Sequence, residues 1–142
     1  MRATFLDARL EAAYRRDGYV TVPLLDPDEV ATLRALYEDL GTPAGAPERE
    51  GTFNTWNPFD AAYKSAVDAG VIAVLGPHLA ALFDRQRILL SNFLVKYPGD
   101  RGEMPIHQDT SMVLEPEHRS AEVWVALEDT GADNGELWMV PG

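Results

Sequence analysis

The sequence has 142 residues, of which 46% are hydrophobic and 25% are charged, so it is long enough for one globular domain with its own core. Its formal net charge of −11 argues against a nucleic-acid partner, and the absence of cysteine excludes disulfides and thiolate metal sites. No signal-peptide pattern is found. The longest apolar stretch is interrupted by Gly76, Pro77 and His78 before it reaches the roughly 20 residues of a membrane helix. We therefore expect a cytoplasmic protein without a membrane partner.

Helical spacing of apolar residues predicts a first helix over residues 4–16. Asp17-Gly18 follows it, and this pair is typical of a helix end. Residues 19–25 then predict a short strand, in which Pro23 indicates a sheet edge or the end of the strand.

The clearest start signal in the chain introduces a second helix. Asp26 can cap it, Pro27 suits the first helical position, and Glu29 stands where a capping box needs its acid. Gly41 is expected to end the helix. The apolar stripe of this helix consists of Leu33, Leu36, Tyr37 and Leu40.

Residues 41–58 are rich in glycine and proline and predict a long loop, a kind of segment that often forms lids or binding surfaces. Phe53 and Trp56 in this loop could cover a pocket. Anchoring of the loop on the core is the stronger interpretation of the same two side chains.

Two further helices are predicted over residues 60–69 and 71–83, with Gly70 and Gly76-Pro77 as breaks. His78 lies on the apolar face of the second one. A single histidine in such a place is more often structural than a ligand, so we interpret His78 as structural.

In the second half of the chain the apolar pattern changes from helical spacing to alternation. It predicts three strands, with a turn over residues 132–135 before the last, and these strands cover residues 88–97, 121–127 and 137–140. Short sequential strands joined by polar turns favour an antiparallel jelly-roll sheet. The predicted fold class is α+β in a single domain over residues 1–142, mainly helical over residues 1–84 and strand-rich over residues 85–142.

The tripeptide His107-Gln108-Asp109 is the strongest candidate for a functional site. In an extended segment, residues i and i+2 point to the same side, so the imidazole and the carboxylate can bind one divalent metal ion. Two histidines and one carboxylate on one octahedral face form the iron site of non-heme oxygenases, and the tripeptide would supply two of these three ligands. Taken alone, the tripeptide also fits a surface turn without a metal, because such short motifs recur by chance.

Several segments, in order along the chain, resemble the phytanoyl-CoA dioxygenase family of Fe(II)/2-oxoglutarate-dependent oxygenases. Residues 17–30 resemble the family's opening strand and helix, and residues 105–109 resemble its iron motif. Residues 123–142 contain pieces that resemble the segment approaching its distal iron-binding histidine. The resemblance implies a double-stranded β-helix, a jelly-roll of the cupin kind, that is incomplete at the C-terminus.

The resemblance also implies roles for individual residues. His107 and Asp109 would bind Fe(II), and Trp124 matches a position that lines the 2-oxoglutarate pocket. Asn92 would contact the co-substrate, and Lys96 shares its strand face by parity, although Lys96 could equally be a solvated lysine at a strand end. The implied reaction is hydroxylation of a small organic molecule, with O₂ and 2-oxoglutarate consumed.

The family's third iron ligand is missing from these 142 residues. The resemblance implies a distal histidine directly after a segment like Val140-Pro141-Gly142, and a 2-oxoglutarate-binding arginine beyond it. His118 lies in a polar loop and His78 on a predicted helix, so both are poor substitutes. We therefore expect a truncated domain that has no activity alone.

Two other classes of function remain open. One is a truncated, non-catalytic binding domain that keeps the oxygenase fold, and the missing histidine favours it. The other is a jelly-roll with non-redox metal chemistry such as isomerisation, which is less favoured because such sites usually use more histidines. Neither the substrate nor the oligomeric state follows from the sequence.

Overall fold

The computed structural model describes residues 3–43, 51–57, 60–99, 103–109, 111–114 and 117–141. The elements within them, in chain order, are α1 (Ala8–Asp17), α2 (Pro27–Leu40), β1 (Thr52–Asn54), α3 (Ala61–Leu82) and β2 (Leu94–Lys96). β1 and β2 pair in an antiparallel two-stranded sheet, with Phe53 opposite Val95. Helices with a small antiparallel sheet agree with the predicted α+β class.

α1 begins four residues later than the predicted helix. Asp7 caps it, because one carboxylate oxygen of Asp7 accepts hydrogen bonds from the N–H groups of Arg9 at 2.6 Å and Leu10 at 3.2 Å. The residues before the cap make tertiary contacts instead. Phe5 forms an isolated antiparallel bridge with Phe83, which fastens the start of the chain to the end of α3.

α2 has the predicted capping box. The Asp26 side chain accepts a hydrogen bond from the Glu29 N–H at 2.9 Å, and the Glu29 carboxylate accepts one from the Asp26 N–H at 3.0 Å. The helix ends before Gly41, as predicted. The other carboxylate oxygen of Glu29 lies 2.6 Å from Nε2 of His78 on α3. His78 therefore joins two helices, in agreement with its structural interpretation.

The prediction of two helices after residue 60 is wrong, because α3 is one continuous helix of 22 residues. Gly70 is a packing position rather than a break. A Cβ there would lie 2.4 Å from Cδ2 of Leu36 on α2, so glycine lets the two helices approach closely. Pro77 lies inside the helix, where its cost is roughly 3 kcal/mol. Contacts of the following turn, made by His78 and the buried Leu79, offset this cost.

α3 is also the one helix among the described residues that is long and apolar enough to cross a membrane, with a mean hydropathy of 1.5 over its most apolar window. This corrects the expectation that no stretch reaches that length, since the helix continues through Gly76 and Pro77. The core helices of other proteins share this length and composition, and Val67 and Val71 of α3 are buried in the core. Only 17% of the apolar window is buried in total, so most of it lies at the surface of the described structure. The absence of a membrane partner stays a prediction.

The hydrophobic core lies between α2 and α3. Leu33 of α2 is 2% exposed and packs with Val67 and Val71 of α3 and with Phe93. Phe93 directly precedes β2, and its N–H donates a hydrogen bond to Oγ1 of Thr55 at 2.8 Å. The Thr55 N–H in turn donates to the Phe93 carbonyl at 3.0 Å. These contacts place the small sheet against the helix pair.

The segment predicted as a loop over residues 41–58 contains β1, and its residues 44–50 and 58–59 lie outside the described residues. Phe53 is 0% exposed and anchors the segment, as the stronger interpretation predicted. Trp56 is 45% exposed, with the Lys64 ammonium 4.4 Å from its ring centroid. The strand was missed because three residues are too few to show a period.

Most of the other strand predictions are wrong for the part of the chain that the structure describes. Residues 19–25, 121–127 and 137–140 form no strand, and the strand predicted over residues 88–97 is reduced to β2. The turn over residues 132–135 is confirmed. Alternation indicates which side chains share a face, but it does not supply a hydrogen-bonding partner. The double-stranded β-helix therefore stays a prediction.

Leu33→Ala should lower the free energy of unfolding by about 3 kcal/mol, because it leaves a cavity between α2 and α3. Leu6→Ala is the matched control, since Leu6 is 59% exposed, and its effect should stay within about 0.5 kcal/mol. Urea denaturation followed by circular dichroism measures both variants. Equal destabilisation by the two would contradict this assignment of the core.

Candidate metal centre

His107 and Asp109 lie on a short stretch, residues 103–109, in which every residue is exposed and none belongs to a helix or strand. Nε2 of His107 lies 3.3 Å from Oδ1 of Asp109. The two side chains therefore meet, as the i and i+2 spacing predicts. An imidazole nitrogen and a carboxylate oxygen at this separation can face one small cation.

The other ring nitrogen of His107 is already engaged. Nδ1 lies 2.8 Å from the Pro105 carbonyl and donates a hydrogen bond to it. A proton on Nδ1 leaves the lone pair on Nε2, the nitrogen that faces Asp109, and metal-binding histidines are commonly oriented in this way. The hydrogen bond to Pro105 raises the pKa of His107, and the negative charge of Asp109 raises it further. The site thus attracts a positive charge, whether a proton or a metal ion.

Glu122 is a member of this group that the sequence reasoning missed. It shares a hydrogen bond with Asp109, and this bond, together with partial desolvation of the carboxyl group, raises the pKa of Glu122 to about 7. Two carboxyl groups in contact do not both ionise readily, so one proton is held between them. A divalent cation can take the place of that proton.

Contacts between the two sides of the following turn have the register of an antiparallel pair. Asp109 contacts Glu122, and Ser111 shares a hydrogen bond of 3.3 Å with Ser120. A step of two residues forward on one side is matched by a step of two residues back on the other. Side chains that stand opposite each other in such a register lie on one face.

Trp124 follows Glu122 by two residues in the sequence, so in an extended segment the two side chains lie on the same side. Exposure alternates along this segment: Glu122 and Trp124 are exposed, whereas Val123 and Val125 are partly buried. We call His107, Asp109, Glu122 and Trp124 the metal face. The signal that could have revealed Glu122 is its spacing of two residues from Trp124 in the segment of predicted alternation.

Asn92 and Lys96, the other two predicted site residues, are engaged elsewhere. The Asn92 amide donates a hydrogen bond to Oδ1 of Asn54 at 3.1 Å. The Lys96 ammonium donates one to the Gly135 carbonyl at 3.1 Å. Neither contact involves the metal face. Lys96 instead fastens β2 to the turn over residues 132–135.

The described residues contain no group of three or more histidine, aspartate or glutamate side chains arranged to hold a metal ion. His118 is exposed, and His78 is paired with Glu29. The protein donors at the metal face are therefore one imidazole nitrogen and one carboxylate oxygen, with Glu122 bonded to Asp109 beside them. This donor chemistry fits a divalent transition metal, with only part of its coordination supplied by these residues.

A surface hollow of about 500 Å³ lies between α2 and residues 126–130. The guanidinium of Arg34 on its wall pairs with Glu128 at 2.8 Å. Its lining includes neither His107 nor Asp109. The hollow is therefore a gap between α2 and the C-terminal segment, separate from the metal face.

Comparison with known proteins finds similar sequences. The family model described as phytanoyl-CoA dioxygenase (PhyH) matches residues 14–142. A Danio rerio protein, phytanoyl-CoA dioxygenase domain-containing protein 1, is 48% identical over 56 residues, which are 39% of this chain and 19% of that protein. The Arabidopsis thaliana phytanoyl-CoA dioxygenase is 38% identical over 60 residues, which are 42% of this chain and 21% of that protein. Phytanoyl-CoA dioxygenase 1 of Oryza sativa subsp. japonica is 33% identical over 72 residues, which are 47% of this chain and 26% of that protein.

These aligned stretches span between 19% and 26% of the curated relatives' own length. No solved structure matches the chain. The family match nevertheless runs from within α1 to residue 142 and includes every residue of the metal face. Because it covers most of the sequence, this chain belongs to the phytanoyl-CoA dioxygenase family.

Proposed function

We propose that this chain supplies two iron ligands, His107 and Asp109, to an Fe(II)/2-oxoglutarate-dependent dioxygenase that hydroxylates a small organic molecule. The observation that carries the proposal is the 3.3 Å approach of His107 Nε2 to Asp109 Oδ1, with Nδ1 held by Pro105. Family membership supports it, since dioxygenase activity is what the family's description names.

Each part of the chain has a definite task in this reaction. Bound iron and 2-oxoglutarate supply the oxidising chemistry, in which one oxygen atom of O₂ enters a substrate C–H bond and the other enters succinate as CO₂ leaves. His107 offers Nε2 because the Pro105 carbonyl keeps the proton on Nδ1. Asp109 offers a carboxylate oxygen, and its contact with Glu122 restrains its orientation.

Three residues are proposed to receive 2-oxoglutarate. Trp124 would form a wall of its pocket, the role that the family resemblance implies for it, and its indole is exposed two residues after Glu122. The Asn92 amide and the Lys96 ammonium would donate hydrogen bonds to its carboxylate oxygens. Both would first have to leave Asn54 and Gly135, their present acceptors.

A non-catalytic binding domain of the same family is the second candidate. One observation favours it: the described residues bring no third protein ligand to the metal face. A domain of this kind would bind a metal ion or a keto acid without consuming O₂. Because these 142 residues alone are expected to be inactive in either case, the two candidates are separated by O₂ consumption in a protein that contains these residues together with a third iron ligand.

Asp109→Ala should weaken Fe(II) binding by at least about tenfold, because it removes the charged one of the two proposed ligands. Anaerobic titration with Fe(II), followed by calorimetry, measures the affinity of the purified chain. His118→Ala is the matched control, since His118 is exposed and lies in the same half of the chain. Equal affinity in wild type and Asp109→Ala would contradict the metal assignment.

Glu122 should make the free energy of unfolding of the metal-free protein depend on pH. Its pKa of about 7 in the folded chain lies above its ordinary value of 4.5, so the folded state holds the proton more tightly than the unfolded state. The stabilisation that this proton provides is complete below about pH 4.5 and is lost as the pH rises to about 7.

Glu122→Gln should remove this loss, so the stability of the variant relative to wild type should increase between pH 4.5 and pH 7. Thermal unfolding across this range provides the measurement. Glu117→Gln separates the effect from the general one of removing a negative charge from a chain of net charge −11. A difference between Glu122→Gln and wild type that does not change with pH would contradict the contact between Glu122 and Asp109.

A further inference from the structure

The chain that follows the candidate ligands returns to the helical part at Arg119. Its Nη1 donates a hydrogen bond to Oγ1 of Thr4 at 3.3 Å and lies 3.9 Å from Oε1 of Glu11. Glu11 belongs to α1, and Thr4 lies 115 positions before Arg119. The side chain of Arg119 therefore connects the segment after the metal motif with α1 and the residues that precede it.

Glu11 is a firm attachment point, with an exposed fraction of 8%. One of its carboxylate oxygens accepts hydrogen bonds from the N–H groups of Thr4 at 2.7 Å and Phe5 at 3.1 Å, and the other accepts one from Nε of Arg15 at 2.5 Å. Burial raises the pKa of Glu11, but the hydrogen bonds from Phe5, Arg15 and Thr4 lower it by more. Arg119 thus approaches a charged carboxylate that is largely shielded from water, where attraction is stronger than in open solvent.

A hydrogen bond made by the residue next to Arg119 links this segment to the metal face. Ser120, the next residue, shares a hydrogen bond of 3.3 Å with Ser111, which follows Asp109 by two residues. Residues 103–109 are exposed and belong to no helix or strand. The position of Asp109 relative to the core therefore depends on contacts of this kind.

We propose that Arg119 is a positioning residue of the metal site. Its pairing with Glu11 docks residues 117–120 on α1, and the contact between Ser120 and Ser111 passes this restraint to Asp109. The proposal rests on the proposed function, since it takes Asp109 to be a metal ligand. It goes further by giving the N-terminal helix a part in metal binding.

The test compares Arg119→Met, which removes the contacts with Thr4 and Glu11, with Arg119→Lys, which keeps the charge. We expect Arg119→Met to weaken anaerobic Fe(II) binding by about five- to tenfold, and Arg119→Lys to recover most of the loss. Arg119→Gln, which is polar but uncharged and too short to reach the position of Nη1, is a second variant with the same expected direction. It serves if the methionine variant folds poorly.

Hydrogen–deuterium exchange of the metal-free protein gives a readout that does not depend on iron. In Arg119→Met, exchange should become faster in residues 103–109, 111–114 and 117–120 and stay unchanged in α2 and α3. Arg34→Met is the matched control, because Arg34 joins α2 to Glu128 in a surface pair at 2.8 Å. Its Fe(II) affinity should stay within about twofold of wild type.

The outcomes separate this inference from the proposed function. If Asp109→Ala loses Fe(II) binding while Arg119→Met and Arg119→Gln keep wild-type affinity and exchange, the inference is wrong and the metal site stands. If Asp109→Ala also keeps wild-type affinity, both are wrong. An equal loss of affinity in Arg34→Met would point to general loosening of the C-terminal segment and would overturn the specific role of Arg119.

Discussion

The packing of Leu33 on α2 against two valines of α3 is the contact to which the other described elements are attached. It requires close approach of the helices, which Gly70 permits because any side chain there would meet Leu36. Phe93 enters the same cluster and thereby places β2, which in turn pairs with β1. The N-terminal residues join the far end of α3 through Phe5. Burial of apolar surface thus organises the first two-thirds of the chain.

The metal face is organised by charge rather than by burial. Its ligand stretch is exposed, and Asp109 and Glu122 face each other at a cost that a proton or a cation relieves. A chain with a net charge of −11 already favours cations near its surface. A bound metal ion would remove the repulsion that keeps the two carboxyl groups from ionising together. Metal binding would therefore order this region in addition to supplying the reactive centre. Restraints such as Arg119 on Glu11 limit how far the stretch can move before the ion arrives.

What the sequence could predict follows from the range of the interactions involved. The capping box of α2 and the meeting of His107 with Asp109 depend on residues two or three positions apart, and both are present in the structure. The break at Pro77 was wrong because contacts distant in the sequence, with Glu29 among them, hold the last turns of α3.

The second half of the chain shows the same limit. Exposure alternates over residues 122–125, where Glu122 and Trp124 are both exposed, but pairing of strands needs a partner that no local pattern specifies. The strands predicted over residues 121–127 and 137–140 fail for this reason. Glu122 was missed because its contact with Asp109 spans thirteen positions, and its spacing of two residues from Trp124 was the one local signal for it. The family, by contrast, was recognisable from short segments in the right order, and the comparison over residues 14–142 confirms it.

Metal binding by His107 can be measured directly by electron spin-echo envelope modulation of the chain loaded with Mn(II), which detects imidazole nitrogen bound to the ion. We expect the nitrogen modulation of a single imidazole in wild type, and the same modulation in His78→Ala and His118→Ala, because those side chains lie outside the metal face. In His107→Ala the modulation should disappear. Modulation that persists in His107→Ala, or that is absent from Mn(II)-loaded wild type, would contradict the account of this chain as the carrier of a histidine–aspartate half of a metal site.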